Sequence, residues 1–178
     1  IKLAIISPDG KDGMIQHAED CAKLGIPFIF DPGQQLMAFS KNELRRFIEI
    51  ANYIIVNDYE SEVLSRNSGL STIEIANKVD TYIITLGAKG AKIYLNNLET
   101  IDIPSINISR AVDPTGCGDA FRAGLMYGLT HGLDWKTSGS LGCLMGGIKI
   151  EHMGPQNHCP ALTEIEDRFE KSFGYRFQ

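Results

Sequence analysis

Residues 112–124, V-D-P-T-G-C-G-D-A-F-R-A-G, place the tightest constraint on what this chain can fold into. Gly116 and Gly118 permit a sharp turn with close backbone approach, and an amphipathic helix through Ala120 and Leu129 follows at once. The first amides of a helix have no partner inside it, and the dipole there favours negative charge. The N–H groups of Gly116, Cys117 and Gly118 therefore make a cradle whose natural occupant is a phosphate. Asp119 is awkward beside a pure anion site, because like charges repel. It makes sense as a carboxylate that takes a proton from a hydroxyl attacking that phosphate.

Short apolar runs alternate with helical patterns ahead of this loop. Residues 3–6 read as a strand ending at the turn Ser7-Pro8-Asp9-Gly10. Residues 11–24 have helical spacing, with Gly25 as a C-cap. Residues 26–30 form the next strand, ending at Asp31-Pro32-Gly33. Ser40 and Glu43 make a capping box for a helix over 40–51, and Ser71 and Glu74 make another for a short helix reaching Val79. Strands are expected at 53–56 and 81–86, then a hairpin from 91–95 and 99–103 across Asn96-Asn97. After the loop, 135–149 reads as a long helix rich in small residues, suited to close packing against a neighbour or a ligand. Thr163 and Glu166 mark the cap of a last helix running to about Phe173.

The strands are continuous apolar runs rather than alternating ones, the pattern of a mainly parallel sheet with helices on both faces. Ligands bind such sheets outside the carboxyl ends of the strands. The tips at Asp31, at 57–60, at 87–90 and at 113–119 are therefore expected along one edge.

Composition narrows the function classes. The 178 residues suffice for one domain with a real core, and 43% hydrophobic with 22% charged residues is ordinary for a soluble globular protein. A net charge of −5 without any basic block argues against a nucleic-acid polymer as partner. Cys21, Cys117, Cys143 and Cys159 are scattered, which fits a reducing cytosol better than a disulfide framework or a zinc site. His17, His131, His152 and His158 lack ligand spacing. No apolar run is long enough for a membrane span, and no signal peptide is visible. The chain begins at Ile1 inside an apparent core strand, so a preceding segment, or a partner such as a second copy covering the sheet edge, is expected.

Each tip has a functional and a purely structural reading. Asn57 and Glu60 suit magnesium held largely through water beside a phosphate; the alternative is a helix cap. The glycines of T-L-G-A-K-G at 85–90 let a backbone approach a nucleotide; the alternative is a simple turn. Lys89 is a phosphate partner or a surface charge. Asp113 stabilises its loop through bonds to nearby amides. Cys117, at a helix N-terminus, is expected to have a lowered pKa, yet a small side chain between two glycines is explained by backbone packing. Arg122 pairs with a phosphate or with a nearby carboxylate.

In order, N-D-Y-E, T-L-G-A-K-G and D-P-T-G-C-G-D-A-F-R-A-G resemble the PfkB-type carbohydrate and nucleoside kinases, the ribokinase-like family. The resemblance covers essentially the whole chain, and the A-F-R-A-G wording is closest to adenosine-kinase-like bacterial members. It implies a three-layer α/β fold lacking its N-terminal strands and β-lid, with 1–178 forming a single ATP-binding and catalytic portion. It implies ATP-dependent phosphoryl transfer to a hydroxyl of a sugar or nucleoside. Asp119 would be the base, with the Gly116, Cys117 and Gly118 amides as the anion hole. Thr85, Gly87 and Gly90 would line the nucleotide, Asn57 and Glu60 would organise Mg2+ and the phosphates, and the loop around Glu151 would border the adenine. Some members hold a monovalent cation, K+, near the residue matching Asp113. Cys117 stands where alanine is usual, which matters little if only its backbone acts. A competing expectation is a nucleotide-binding fragment without independent catalysis. A Rossmann-type oxidoreductase is disfavoured, because no G-x-G-x-x-G follows the first strand.

Overall fold

Phe28, Ile29 and Phe30 are wholly buried, as a strand covered on both faces requires. In the computed structural model, which describes residues 1–96 and 99–177, they form the second strand of a six-stranded sheet. The strands are β1 (Ala4–Ile6), β2 (Phe28–Phe30), β3 (Tyr53–Asn57), β4 (Thr81–Thr85), β5 (Ala91–Leu95) and β6 (Thr100–Ile103), and their spatial order follows the chain. β1 to β4 are parallel, with Ile6 opposite Phe30 and Ile54 opposite Tyr82. The Asn96 amide donates to the Asp80 carbonyl at 3.1 Å, so the end of β5 lies beside the start of β4. Asn97, in the expected hairpin turn, lies outside the described residues.

Contacts divide the chain into two compact units, 1–86 with 92–101 and 87–91 with 102–178. In the first, the parallel strands are joined through α1 (Lys11–Leu24), α2 (Lys41–Ile50), α3 (Asp58–Ser68) and α4 (Thr72–Ala76). α1 ends at Gly25 in the left-handed conformation, as its sequence indicated. α2, α3 and α4 all open with complete capping boxes, Ser40 with Glu43, Asn57 with Glu60, and Ser71 with Glu74. Such caps contribute about 1 kcal/mol each. Phe30 stacks on Phe47 with ring centroids 4.1 Å apart, and Phe39 meets both edge-on. The buried Tyr82 hydroxyl donates to Ser61 Oγ at 2.9 Å, and burial pushes its pKa up to about 12. A 3-10 turn at Gly33–Ala38 went unforeseen, since neither periodicity nor a cap marks it.

The second unit is built on α5 (Cys117–Thr130), α6 (Trp135–Ile150) and α7 (Leu162–Phe173). The small residues of α5 and α6 bring the two helices into close contact. A β-carbon on Gly124 would lie 2.5 Å from the Leu141 carbonyl, and one on Gly142 would lie 2.9 Å from the Phe121 carbonyl. Phe169 of α7 is wholly buried against Phe173, Tyr175 and Phe177. Here the cap reading needs correction. Ala161 precedes the helix, no side chain caps it, and Thr163 lies inside the first turn. Among the described residues, no helix is long and apolar enough to cross a membrane.

Candidate active site

In the first unit, the carboxyl ends of β3 and β4 bring Asn57 and Thr85 opposite one another in register. Thr85 Oγ1 bonds to the Val56 carbonyl at 3.4 Å. Asn57 Oδ1 accepts from the Glu60 amide at 2.7 Å, and Glu60 Oε2 accepts from the Asn57 amide at 2.8 Å. The structural reading of this pair is therefore realised in full. Both residues remain part-exposed at the strand tip. Asp31, at the end of β2, is buried.

Gly87 and Gly90 belong to the second unit, where Gly87–Lys89 forms a 3-10 turn closed by the Gly90 amide on the Gly87 carbonyl at 3.0 Å. Gly90 has φ +91°, and a β-carbon there would collide with the Ile103 carbonyl. Backbone geometry alone thus demands glycine at 90. Ser105 Oγ donates to the Ala88 carbonyl at 2.6 Å and holds the turn. Lys89 is exposed.

Gly116 is the N-cap of α5, with φ +82°, and its α-carbon is packed so closely on Pro155 that a β-carbon would lie 2.9 Å from the Pro155 carbonyl. Asp119 follows in the first turn, exposed to solvent. A helix opening leaves its first amides without intrahelical partners. The Cys117 amide is the exception, donating to the Pro114 carbonyl at 3.1 Å, so an anion would compete with that carbonyl for it. The Cys117 thiol also departs from expectation. Burial raises its pKa, and the nearby Asp113 carboxylate adds to the rise while the Lys149 ammonium opposes it.

Asp113 ties this loop to the end of α6. Its Oδ1 accepts from the Thr115 amide at 2.9 Å and its Oδ2 from the Gly154 amide at 2.8 Å. Those amide bonds, with Lys149 nearby, hold the Asp113 carboxyl down to about 2. Lys149, wholly buried, donates from Nζ to the Asp113 carbonyl at 2.6 Å and the His152 carbonyl at 3.1 Å. Sequence reasoning passed over Lys149. The signal was there, however: it is the lone charge in the apolar run that follows Lys136 in α6. Glu151, two residues on, accepts from the Ser109 amide and hydroxyl at 2.7 and 3.0 Å and pairs with Arg168 at 2.8 Å. It lines a cleft of about 610 Å³ with residues 105–109, Arg168 and Lys171. Among the described residues, no group of three His, Cys, Asp or Glu side chains is placed to hold a metal ion.

Residues 2–162 match the pfkB family of carbohydrate kinases. The chain is 34% identical over 142 residues to a nucleoside kinase of Methanocaldococcus jannaschii, covering 80% of this chain and 47% of that protein. Its structure resembles the nucleoside kinase of Burkholderia thailandensis in complex with inosine, with TM-score 0.97, 54% identity, and coverage of 99% of this chain and 57% of that one. The same enzyme in complex with ADP-inosine matches with TM-score 0.98 and 53% identity over 100% of this chain and 56% of that one. The chain thus spans about half the length of the relatives it matches. With the family model matched over residues 2–162 and an α/β sheet like that of its structural relatives, this chain belongs to the pfkB family of carbohydrate kinases and has its ribokinase-like α/β fold.

Proposed function

We propose that this chain serves ATP-dependent phosphoryl transfer to a hydroxyl of a nucleoside, with Asp119 as the base. The observation that carries it is the exposed Asp119 carboxylate in the first turn of α5, directly behind the Gly116–Gly118 turn. A hydroxyl losing its proton to Asp119 attacks the γ-phosphorus, the bond to the β-phosphate oxygen breaks, and ADP leaves. Catalysis in such transfers is mostly positioning and charge stabilisation. The Gly116 and Gly118 amides, joined by that of Cys117 once it leaves Pro114, stabilise charge building on the phosphoryl oxygens. Thr85, Gly87 and Gly90 serve the nucleotide, and the cleft beside Glu151 suits an adenine. The inosine complexes of the Burkholderia thailandensis enzyme support a nucleoside as acceptor rather than a free sugar.

Asn57 and Glu60 are hard oxygen donors, and a single carboxylate with an amide fits a magnesium ion that keeps most of its waters. Bound there, Mg2+ would neutralise phosphate charge. A free monovalent cation does not fit beside Asp113, because the Lys149 ammonium already takes the carbonyls of Asp113 and His152.

The test is incubation with ATP and Mg2+ plus inosine, adenosine, ribose or fructose, with products read by mass spectrometry. Nucleoside monophosphate and ADP in equal amounts are expected, with little product from the sugars. The half-length match to its relatives favours a second reading, in which the chain binds nucleotide without turnover. Saturable ATP binding with no product from any acceptor would support that reading and reject the first.

A further inference from the structure

A lysine with no exposed surface needs an explanation, because a buried ammonium is costly unless the protein replaces its water. Around Lys149 the replacement is made of backbone. Its Nζ donates to the Asp113 carbonyl at 2.6 Å and the His152 carbonyl at 3.1 Å. The Asp113 carboxylate adds a compensating negative charge nearby. The position is the last turn of α6, where the helix dipole favours a cation. The Val112 and Asp113 amides also reach back to the Ile150 carbonyl at 2.8 and 3.2 Å. The ammonium therefore sits at the crossing of two segments: the start of the glycine loop that leads to Asp119, and the turn that follows α6.

Carbonyl oxygens at these distances are what a desolvated monovalent cation takes in place of water. We propose that Lys149 is a tethered monovalent cation: its ammonium fills the carbonyl cradle of Asp113 and His152 and positions the 113–119 loop, so that no soluble K+ is required. Lys149 is a positioning residue, since it reaches the base only through the loop. Its effect on turnover rests on the reading of Asp119 as the base. Occupation of the cradle does not.

The first measurement is thermal unfolding in chlorides of choline, Na+, K+ and ammonium at fixed ionic strength. The wild type is expected to melt at one temperature in all four. Lys149→Met keeps the apolar stem and removes the ammonium. It is expected to melt lower in choline and to regain roughly 3 °C in K+ or ammonium, as a ligand held only by the folded state should give. A wild type stabilised selectively by K+, or a variant equally unstable in every salt, overturns the proposal. If Lys149→Met does not fold, the wild-type series still decides. The second measurement is turnover of ATP with inosine in the same salts. Wild-type kcat should change by less than about twofold between choline and K+. The variant should lose at least tenfold in choline and recover most of it in K+, with the KM for inosine little changed. A wild type without turnover in any salt rejects the kinase reading, and the melting series still tests the cradle.

Discussion

The Asp113 carboxylate accepts the Gly154 amide at 2.8 Å across 41 positions of sequence, while its other oxygen takes the Thr115 amide at 2.9 Å. One side chain thus closes the turn before Gly116 and fastens the segment after α6. Amide donors favour the charged carboxylate, which lowers its pKa from 3.8 to about 2. A depressed value means that the stabilisation is complete above about 3.8 and is lost as pH falls through about 2. Asp113→Asn removes this proton-linked contribution. The variant should melt lower than wild type at pH 7, and the gap should narrow between about pH 4 and pH 2. Melting temperatures followed by circular dichroism across that window check it. Parallel curves would show that Asp113 carries no such linkage.

Asp119 is exposed and sits outside the packed core. Its replacement should therefore change chemistry and leave folding intact. Asp119→Asn is expected to lower kcat by roughly two to four decades, the usual contribution of a positioned base. Nucleotide affinity measured by calorimetry should stay within about twofold, and the melting temperature should not fall. Turnover retained within tenfold would remove Asp119 from the role of base.

Asn57 and Glu60 make a capping box, so a functional role has to be separated from that structural one. Glutamine at the third helical position still closes the box. Glu60→Gln should then cost less than about 0.5 kcal/mol in urea unfolding, whereas Asn57→Ala should cost about 1 kcal/mol. If Glu60 also organises magnesium, Glu60→Gln raises the Mg2+ concentration needed for half-maximal turnover several-fold. An unchanged magnesium titration would leave the pair as a cap alone.

The parts of this fold legible in the sequence are those whose causes are local. Ser40 with Glu43 and Gly25 announce helix ends because the cap bonds span three or four residues. The glycines of α6 announced close packing because a β-carbon there would meet the facing backbone. The misses have causes that arise only on folding. The helix terminus at Cys117 pointed to a lowered thiol pKa, and burial, which exists only in the folded chain, raises it. Lys149 is an ordinary surface-type residue until its ammonium finds the Asp113 and His152 carbonyls, each supplied by a different segment. Thr163 has the spacing of a cap, yet the helix begins one residue before it, at Leu162.

Gly116 and Gly118 look alike in sequence and differ in structure, which makes them a sharp pair for testing the loop. Gly116 has φ +82°, and a β-carbon there would stand 2.9 Å from the Pro155 carbonyl and 3.1 Å from its α-carbon. Neither neighbour is a flexible side-chain end, and a left-handed conformation adds strain of about 1–3 kcal/mol for a residue other than glycine. At Gly118, a β-carbon would meet Arg122 Nη1 at 2.7 Å, the far end of a long side chain that can swing aside. Gly116→Ala should therefore lower the melting temperature by several degrees and depress turnover. Gly118→Ala should leave melting within about 1 °C, with any loss confined to kcat if its amide serves the phosphoryl group. Equal damage from both would mean that the loop tolerates neither substitution for a shared steric reason. In that case the distinction between an anchoring glycine and a ligand-facing one fails.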